Sequence, residues 1–509
     1  MGHSLKFIRL LFAAVLALVA LLSAPAILAA EPRQGGTLGI GLEWEPNTLD
    51  VMRTQESIND RQIGMLIYDT LLDLDPKGRI VPQLAQKLDA APDGMWFKLQ
   101  LRPGVKFHDG TMLDAAAVVA HFKRIMDPAN RSLLLAPLAT TASVEASGPL
   151  EVTFKMKSPS AHFPAVLTGS AGMVASPTAV AKFGKDFESN PVGAGPFMLK
   201  EWKRGSGVTL VRNPDYWNKP AYLDSVVLRG IVDEQTRYAS VKSGDIDVEL
   251  VAAARDIVDA RKDKKLRVLN PGSLGTNFIH VNNQAPDVSD VRVRQAMAHA
   301  IDAPALNKAI NKGVFTVART VMGSGLAPHE LVDEYPAYNP ALAKKLLADY
   351  GKPVKIKLSC SNAPLALLIA QAMQQMWKKV GIETEIETLE TTQLVRKAIS
   401  SDFQAMVFRW AGRADPDFNV YTQFHSKSPN NFVKYKHPEM DRLLELGRAT
   451  MDPAARVAIY RQINNLIARE VPYMLLWYFE PYIIHSEKVQ GIVPVADALI
   501  RAHKIWKAN

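Results

Sequence analysis

Cysteine is nearly missing from this sequence. Cys360 is the single one in 509 residues. That excludes an internal disulfide, CxxC redox motifs, thiolate zinc sites and iron–sulfur clusters. Glycine, at 30 residues, follows no triplet period, so a collagen-like chain is excluded. No apolar run reaches the roughly 18 residues that a membrane-spanning helix needs. Short catalytic signatures are also missing: there is no GxSxG elbow, no Walker loop and no HExxH. Gly39-x-Gly41 and Gly193-Ala194-Gly195 lack the third glycine of a dinucleotide fingerprint. Asp415-x-Asp417-x-Asn419 opens like a calcium loop, but Pro416 interrupts it. Val420 and Ser426 stand where such a loop needs its glycine and its closing glutamate. The 11 histidines show no metal-ligand spacing. Neither a metal nor a cofactor is expected, and the chain is read as a non-enzyme. Paired carboxylates meeting in space, as in an exported hydrolase, remain the alternative.

What is present is an ordinary globular balance, 48% apolar and 22% charged. At roughly 100–200 residues per domain, the length implies two or more domains with ample core. Residues 1–9 carry Lys6 and Arg9 and no acid, residues 10–22 are continuously apolar, and small residues follow to Ala30. This is the pattern of a secretory signal peptide, and the apolar run of 13 residues is short for a membrane anchor. Cleavage after residues 24–26 and cleavage after Ala29-Ala30 both fit. Taking Lys6 and Arg9 from the formal charge of +9 leaves +7. The positive residues are dispersed, and export argues against nucleic acid as a partner.

Helix and strand signals alternate throughout. Residues 151–157 (EVTFKMK), 355–360 (KIKLSC) and 403–410 (FQAMVFRW) alternate as strands do. Residues 115–126 put Val118, Phe122, Ile125 and Met126 on one helical stripe, and residues 291–301 do the same with Val293, Met297, Ala300 and Ile301. Asn339-Pro340 and Asp452-Pro453 supply an N-cap followed by proline at the first helical position. Gly351 is placed to end the first of these helices, and Gly381 to end one over residues 364–380. Helix, strand, helix, strand over 340–350, 355–360, 364–380 and 382–389 indicates an α/β lobe with a mixed sheet. Residues 270–275 (NPGSLG) make a natural break before it.

Several segments then occur in a telling order: Gly35-Gly36-Thr37-Leu38 with Thr48-Leu49-Asp50, residues 97–110 (FKLQLRPGVKFHDG) and 190–197 (NPVGAGPF). Residues 212–217 (RNPDYW), 243–247 (SGDID) and 290–302 (DVRVRQAMAHAID) follow. The set resembles the family 5 extracellular solute-binding proteins of bacterial ABC importers, the dipeptide and oligopeptide binders, over about residues 35–480. The resemblance implies a two-lobed α/β periplasmic binding protein of type II, with hinge-linked lobes, mixed sheets and an extra subdomain. The expected division is a signal peptide over 1–30, a first lobe over 31–275 with the subdomain inserted at about 65–190, a second lobe over 276–480, and a return to the first lobe over 481–509. The aromatic hallmarks Trp96, Phe97 and Tyr216-Trp217 are read as core.

The resemblance also implies a monomer in the periplasm of a Gram-negative bacterium, closing over a solute and presenting it to an inner-membrane permease. Ligands of α/β sheets sit beyond strand carboxyl ends. The candidate residues are Trp44 and Asn47 after the first strand, Ser361 and Asn362 after strand 355–360, and Trp410, Arg413 and Asp415 after strand 403–410. Thr168-Gly169-Ser170 is a further source of small polar groups. In the family's peptide binders an aspartate three residues after the tryptophan pairs with the peptide ammonium; here that position is Arg413. Residues 359–362, where dipeptide binders place an arginine for the peptide carboxylate, read Ser-Cys-Ser-Asn. Arg413 is therefore expected to receive an anionic group, or else to pair with Asp415 or Asp417 and shape its loop. The resemblance implies a peptide or peptide-like solute, and the first alternative makes it anionic, with glutathione among the candidates.

Overall fold

The computed structural model describes residues 31–508 apart from 55, 56, 252 and 330. The expected signal peptide, residues 1–30, lies outside the described residues. Among them, no helix is long and apolar enough to cross a membrane.

The local signals produce the expected elements. Helix Ala115–Met126 starts where the Asp114 carboxylate accepts from Ala117 N, and Lys123 and Arg124 sit in its last turn. Its Val118, Phe122 and Ile125 are buried. Helix Pro340–Tyr350 is capped by Asn339 and stopped by Gly351 at φ 78°, and helix Pro453–Glu470 is capped by Asp452. Several boundaries differ by one or two residues. The helix starting at Pro364 ends at Lys378, short of Val380. Its last turn tightens, with Val380 N bonding Trp377 O, and Gly381 at φ 99° turns the chain into strand Ile382–Leu389.

The fold is α/β and two-lobed. A seven-stranded mixed sheet runs in the order Leu266–Leu269, Tyr482–Ser486, Val248–Val251, Thr37–Leu42, Ser225–Gly230, Gly207–Arg212, Phe197–Lys203. A five-stranded sheet runs Ile382–Leu389, Val354–Ser361, Ala405–Trp410, Gly275–Val281, Tyr473–Phe479. A four-stranded antiparallel sheet, Ala85–Ala90, Trp96–Leu101, Glu151–Met156, Thr141–Gly148, forms between the first and later strands of the seven-stranded sheet. Phe97, Phe122, Phe154 and Phe163 interlock over its inner face.

The chain passes between the two larger sheets twice, after Leu269 and after Phe479. The flanking strands are antiparallel neighbours on both sides of the crossing. The Asn270 amide donates to the Tyr482 hydroxyl, and Ser273 Oγ lies 2.6 Å from the Phe479 carbonyl, so the two crossings are tied together.

The sequence hallmarks hold backbone positions. A Cβ on Gly193 would lie 2.3 Å from the Ile67 carbonyl, and one on Gly195 2.6 Å from the Leu66 carbonyl, so only glycine permits this approach. Asn213 donates to the Gly195 carbonyl, while Tyr216 and Trp217 both donate to the buried Asp69. Burial pushes the Asp69 carboxyl up to about 6, and these hydrogen bonds oppose the rise. Trp96 departs from the expected core role. It is 39% exposed because side chains alternate along Trp96–Leu101, and its neighbour Phe97 takes the inward position.

Candidate ligand-binding cleft

Two cavities share Arg61 and Arg413 in their walls. Thr168, Gly169, Ser170 and Phe418 are among the residues that line the first. Ser57, Leu274, Trp410, Phe479 and Asp497 are among the residues that line the second. The walls therefore come from both lobes and from the crossing strands.

Arg413 is positioned by close backbone packing. Strand Ala405–Trp410 pairs with Gly275–Val281. Beyond it, Gly412 bridges Leu274, and a Cβ on Gly412 would meet the Leu274 carbonyl at 2.0 Å. With φ +79° as well, the position demands glycine. Asn419 then fastens the turn: its Oδ1 accepts from Trp410 Nε1 and Arg413 N, and its Nδ2 donates to the Arg413 and Asp415 carbonyls. The Arg413 guanidinium lies 5.3 Å from the Trp410 ring centre, and its Nη1 donates to the Gly412 carbonyl.

The two aspartates of the turn hold other arginines. Asp415 caps helix Pro416–Phe424 and takes two hydrogen bonds from Arg456, at 2.6 and 2.7 Å. Asp417 takes two from Arg448, both 2.9 Å. Burial pushes the Asp415 carboxyl up, but Arg456 outweighs it and holds the group below the usual carboxylate range. Asp497 behaves alike: burial raises it, and Arg501 with Arg61 lowers it further. A glycosidase acid must keep its proton at neutral pH. Asp415 and Asp497 are held ionised instead, and the hydrolase alternative has no support. Among the described residues, no group of three or more His, Cys, Asp or Glu could hold a metal ion.

Of the residues singled out in the sequence, the structure brings Trp410 and Arg413 to the cavities, with Thr168, Gly169 and Ser170 opposite. Trp44 and Asn47 sit on the turn after Thr37–Leu42, outside both linings. Trp44 is 41% exposed, and the Asn47 carbonyl accepts from Arg204. Ser361 ends strand Val354–Ser361, and the Asn362 amide donates to Glu390; neither lines the cavities. Asp415 is buried behind the turn with its carboxylate on Arg456. Arg61 was missed. Its signal is an arginine on the same helical face as Ile58 and Met65.

The lobes touch beside the cavities. Ala161 N donates to the Arg448 carbonyl at 2.9 Å. His162 is buried edge-on against Phe418, with Nδ1 4.0 Å from the Asp417 carboxylate. Gly78 packs against Gly325, where a Cβ would come within 2.5 Å of the Gly325 carbonyl.

This two-lobed architecture with a cleft at the crossing strands matches known proteins. Residues 79–432 match the model for bacterial extracellular solute-binding proteins, family 5. The chain belongs to that family. A probable di/tripeptide-binding protein 5 of Pseudomonas aeruginosa is 29% identical over 518 residues, covering 94% of this chain and 96% of the relative. The glutathione-binding protein GsiB of Escherichia coli K12 is 27% identical over 465 residues, covering 88% and 90%. The oligopeptide-binding protein AppA of Bacillus subtilis, solved with a nonapeptide, superposes with a TM-score of 0.80 at 27% identity, covering 94% of this chain and all of that one. Several family members of different cargo thus share one frame.

Proposed function

We propose that this chain is the solute-binding component of an ABC importer. It captures a peptide or peptide-like anionic solute, such as glutathione, between its lobes in the periplasm and delivers it to the inner-membrane permease. It works as a monomer and turns nothing over. The observation that carries the reading is Arg413 in the wall of a cleft that both lobes build, at the end of a sheet strand. A guanidinium held there suits a carboxylate, which it can meet with two parallel hydrogen bonds. Thr168 and Ser170 opposite belong to the other lobe, so a solute that touches both walls favours the closed arrangement over an open one. That difference in contact is what can drive a hinge motion. The names of the P. aeruginosa and E. coli relatives support a short peptide or glutathione as cargo.

The test is a thermal-shift screen on protein unfolded and refolded to strip carried solute, with neutral dipeptides, acidic dipeptides, tripeptides, glutathione, opines and sugars. A solute at one hundred times its dissociation constant adds about 2.7 kcal/mol. Stabilisation by acidic peptides or glutathione is expected. Stabilisation by neutral dipeptides alone removes the anionic part of the reading, and no response to any peptide removes the peptide class.

A further inference from the structure

The first of the two cavities has an apolar wall built by both lobes. Leu134, Pro137, Ala165, Val166 and Ala171 line it from the first lobe, and Phe418 of helix Pro416–Phe424 lines it from the second. Leu134, Val166 and Ala171 belong to the core over the four-stranded sheet, and Phe418 packs against that core while staying half-buried. The local chain holds these side chains in place. Ser132 Oγ accepts from Leu134 N and donates to the Met52 carbonyl, which fixes the short turn Leu133–Leu135 with Leu134 buried and its two neighbours outward. Pro164 stands in the first turn of helix Phe163–Val166, which carries Ala165 and Val166.

The polar neighbours are engaged with the chain itself. Thr168 Oγ1 donates to the Ala165 carbonyl at 2.9 Å, Arg413 Nη1 donates to the Gly412 carbonyl, and Arg61 pairs with Asp497. Arg61 and Arg413 also line the second cavity, so they mark the edge where the two cavities meet. Among the described residues no carboxylate lines the first cavity. A basic group entering it passes two like charges and meets no acid. A neutral polar group gives up water for walls of carbon. An apolar group makes contacts on both lobes, which favours the closed arrangement.

We infer that the first cavity is a subsite for an uncharged, apolar side chain of the solute, with Leu134, Val166 and Phe418 setting the preference. The inference rests on the reading that this cleft holds a peptide or peptide-like solute. It goes further by naming which side chains such a solute carries: leucine-like ones, and neither polar nor basic ones.

The experiment is calorimetry on the refolded protein with two pairs of nearly equal shape, Leu-Glu against Asn-Glu and Glu-Leu against Glu-Asn. The two orders cover either direction of the peptide in the cleft. The wild type is expected to prefer the leucine member of at least one pair by about tenfold or more. Val166→Thr keeps the shape of the wall and adds a hydroxyl, and it is expected to cut that preference at least about threefold. A merely structural loss would weaken both members alike and leave their ratio unchanged. A leucine preference below about threefold in both pairs, or one that Val166→Thr leaves unchanged, overturns the subsite and leaves the cleft reading standing. A wild type that binds none of the four peptides overturns both. Should Val166→Thr fail to fold by circular dichroism, Ala165→Ser decides: a leucine preference reduced at least about twofold supports the subsite, and an unchanged one overturns it.

Discussion

Arginines meet the turn over residues 413–417 in two ways. Behind it, Arg456 and Arg448 each grip one aspartate with a pair of hydrogen bonds. In front of it, Arg413 and Arg61 face cavities, and Arg61 has a buried Nε–H with no acceptor. The rear pairs are finished structure: two opposite charges buried together with their hydrogen bonds made. The front pair lines the cleft, with Arg413 beside the Trp410 ring and donating to the Gly412 carbonyl. All four are arginines, and only their partners and their exposure to the cleft separate them.

Asp415→Ala should break the rear set most severely. It removes the partner of the buried Arg456 and the cap of helix Pro416–Phe424. Losing one member of a buried pair costs about 3–5 kcal/mol, to be read from denaturant unfolding. The pH dependence has a definite sign. The folded-state carboxyl is held below its unfolded value of 3.8, so its contribution is complete above that pH and disappears as pH falls through the lower folded value.

Gly412→Ala should connect the two sets, because it disturbs the turn that carries both. The new Cβ meets the Leu274 carbonyl, and φ is +79°. A loss of about 2 kcal/mol in unfolding free energy, together with weakened solute binding, is expected. Full affinity in this variant would show that the turn does not need its observed path.

Arg413→Ala should act on the front set alone. Affinity for an acidic solute should fall roughly 10- to 100-fold by calorimetry, the loss expected for a charged hydrogen-bonded contact. The melting temperature of the empty protein should stay within about 2 °C. A large melting change with unchanged affinity would place Arg413 with the rear arginines.

The smallest effect concerns the contact between lobes. Burial is the main cause holding His162 below its ordinary value of 6.5, with Asp417 opposing and Arg448 reinforcing. The closed arrangement therefore binds fewer protons than one in which His162 is wet. Acidification through pH 6.5 should weaken solute affinity, roughly threefold to tenfold between pH 7.5 and 5.5. His162→Gln should flatten that profile, and a wild-type profile that is already flat would remove His162 from the closing contact.

Much of the fold was legible because its causes are local. Asn339, Pro340 and Gly351 bound a helix by capping chemistry alone, and Ala115–Met126 follows from one cap and one stripe. Where reading stopped short, the cause lay beyond the local chain. Trp96 and Phe97 are both aromatic, and only the facing of the strand decides which is inside. Ser361 ends a strand and Asn362 follows it, but Asn362 is taken by Glu390 from a neighbouring loop. Arg61 stayed hidden because its ion-pair partner Asp497 lies more than four hundred residues along the chain.

Read alone, the sequence settled the family, the order of helices and strands, and the presence of an arginine at position 413 after a strand. Caps, periodicity and ordered motifs are properties of neighbouring residues, so they survive without a structure. Only the tertiary structure decided which arginine each aspartate of the turn holds. Asp415 and Asp417 could have turned to Arg413, and only the packing of helices Pro438–Ala449 and Pro453–Glu470 behind the turn delivers Arg448 and Arg456 to them. Pairing of buried charge depends on where distant chain segments meet, and that is settled by the core.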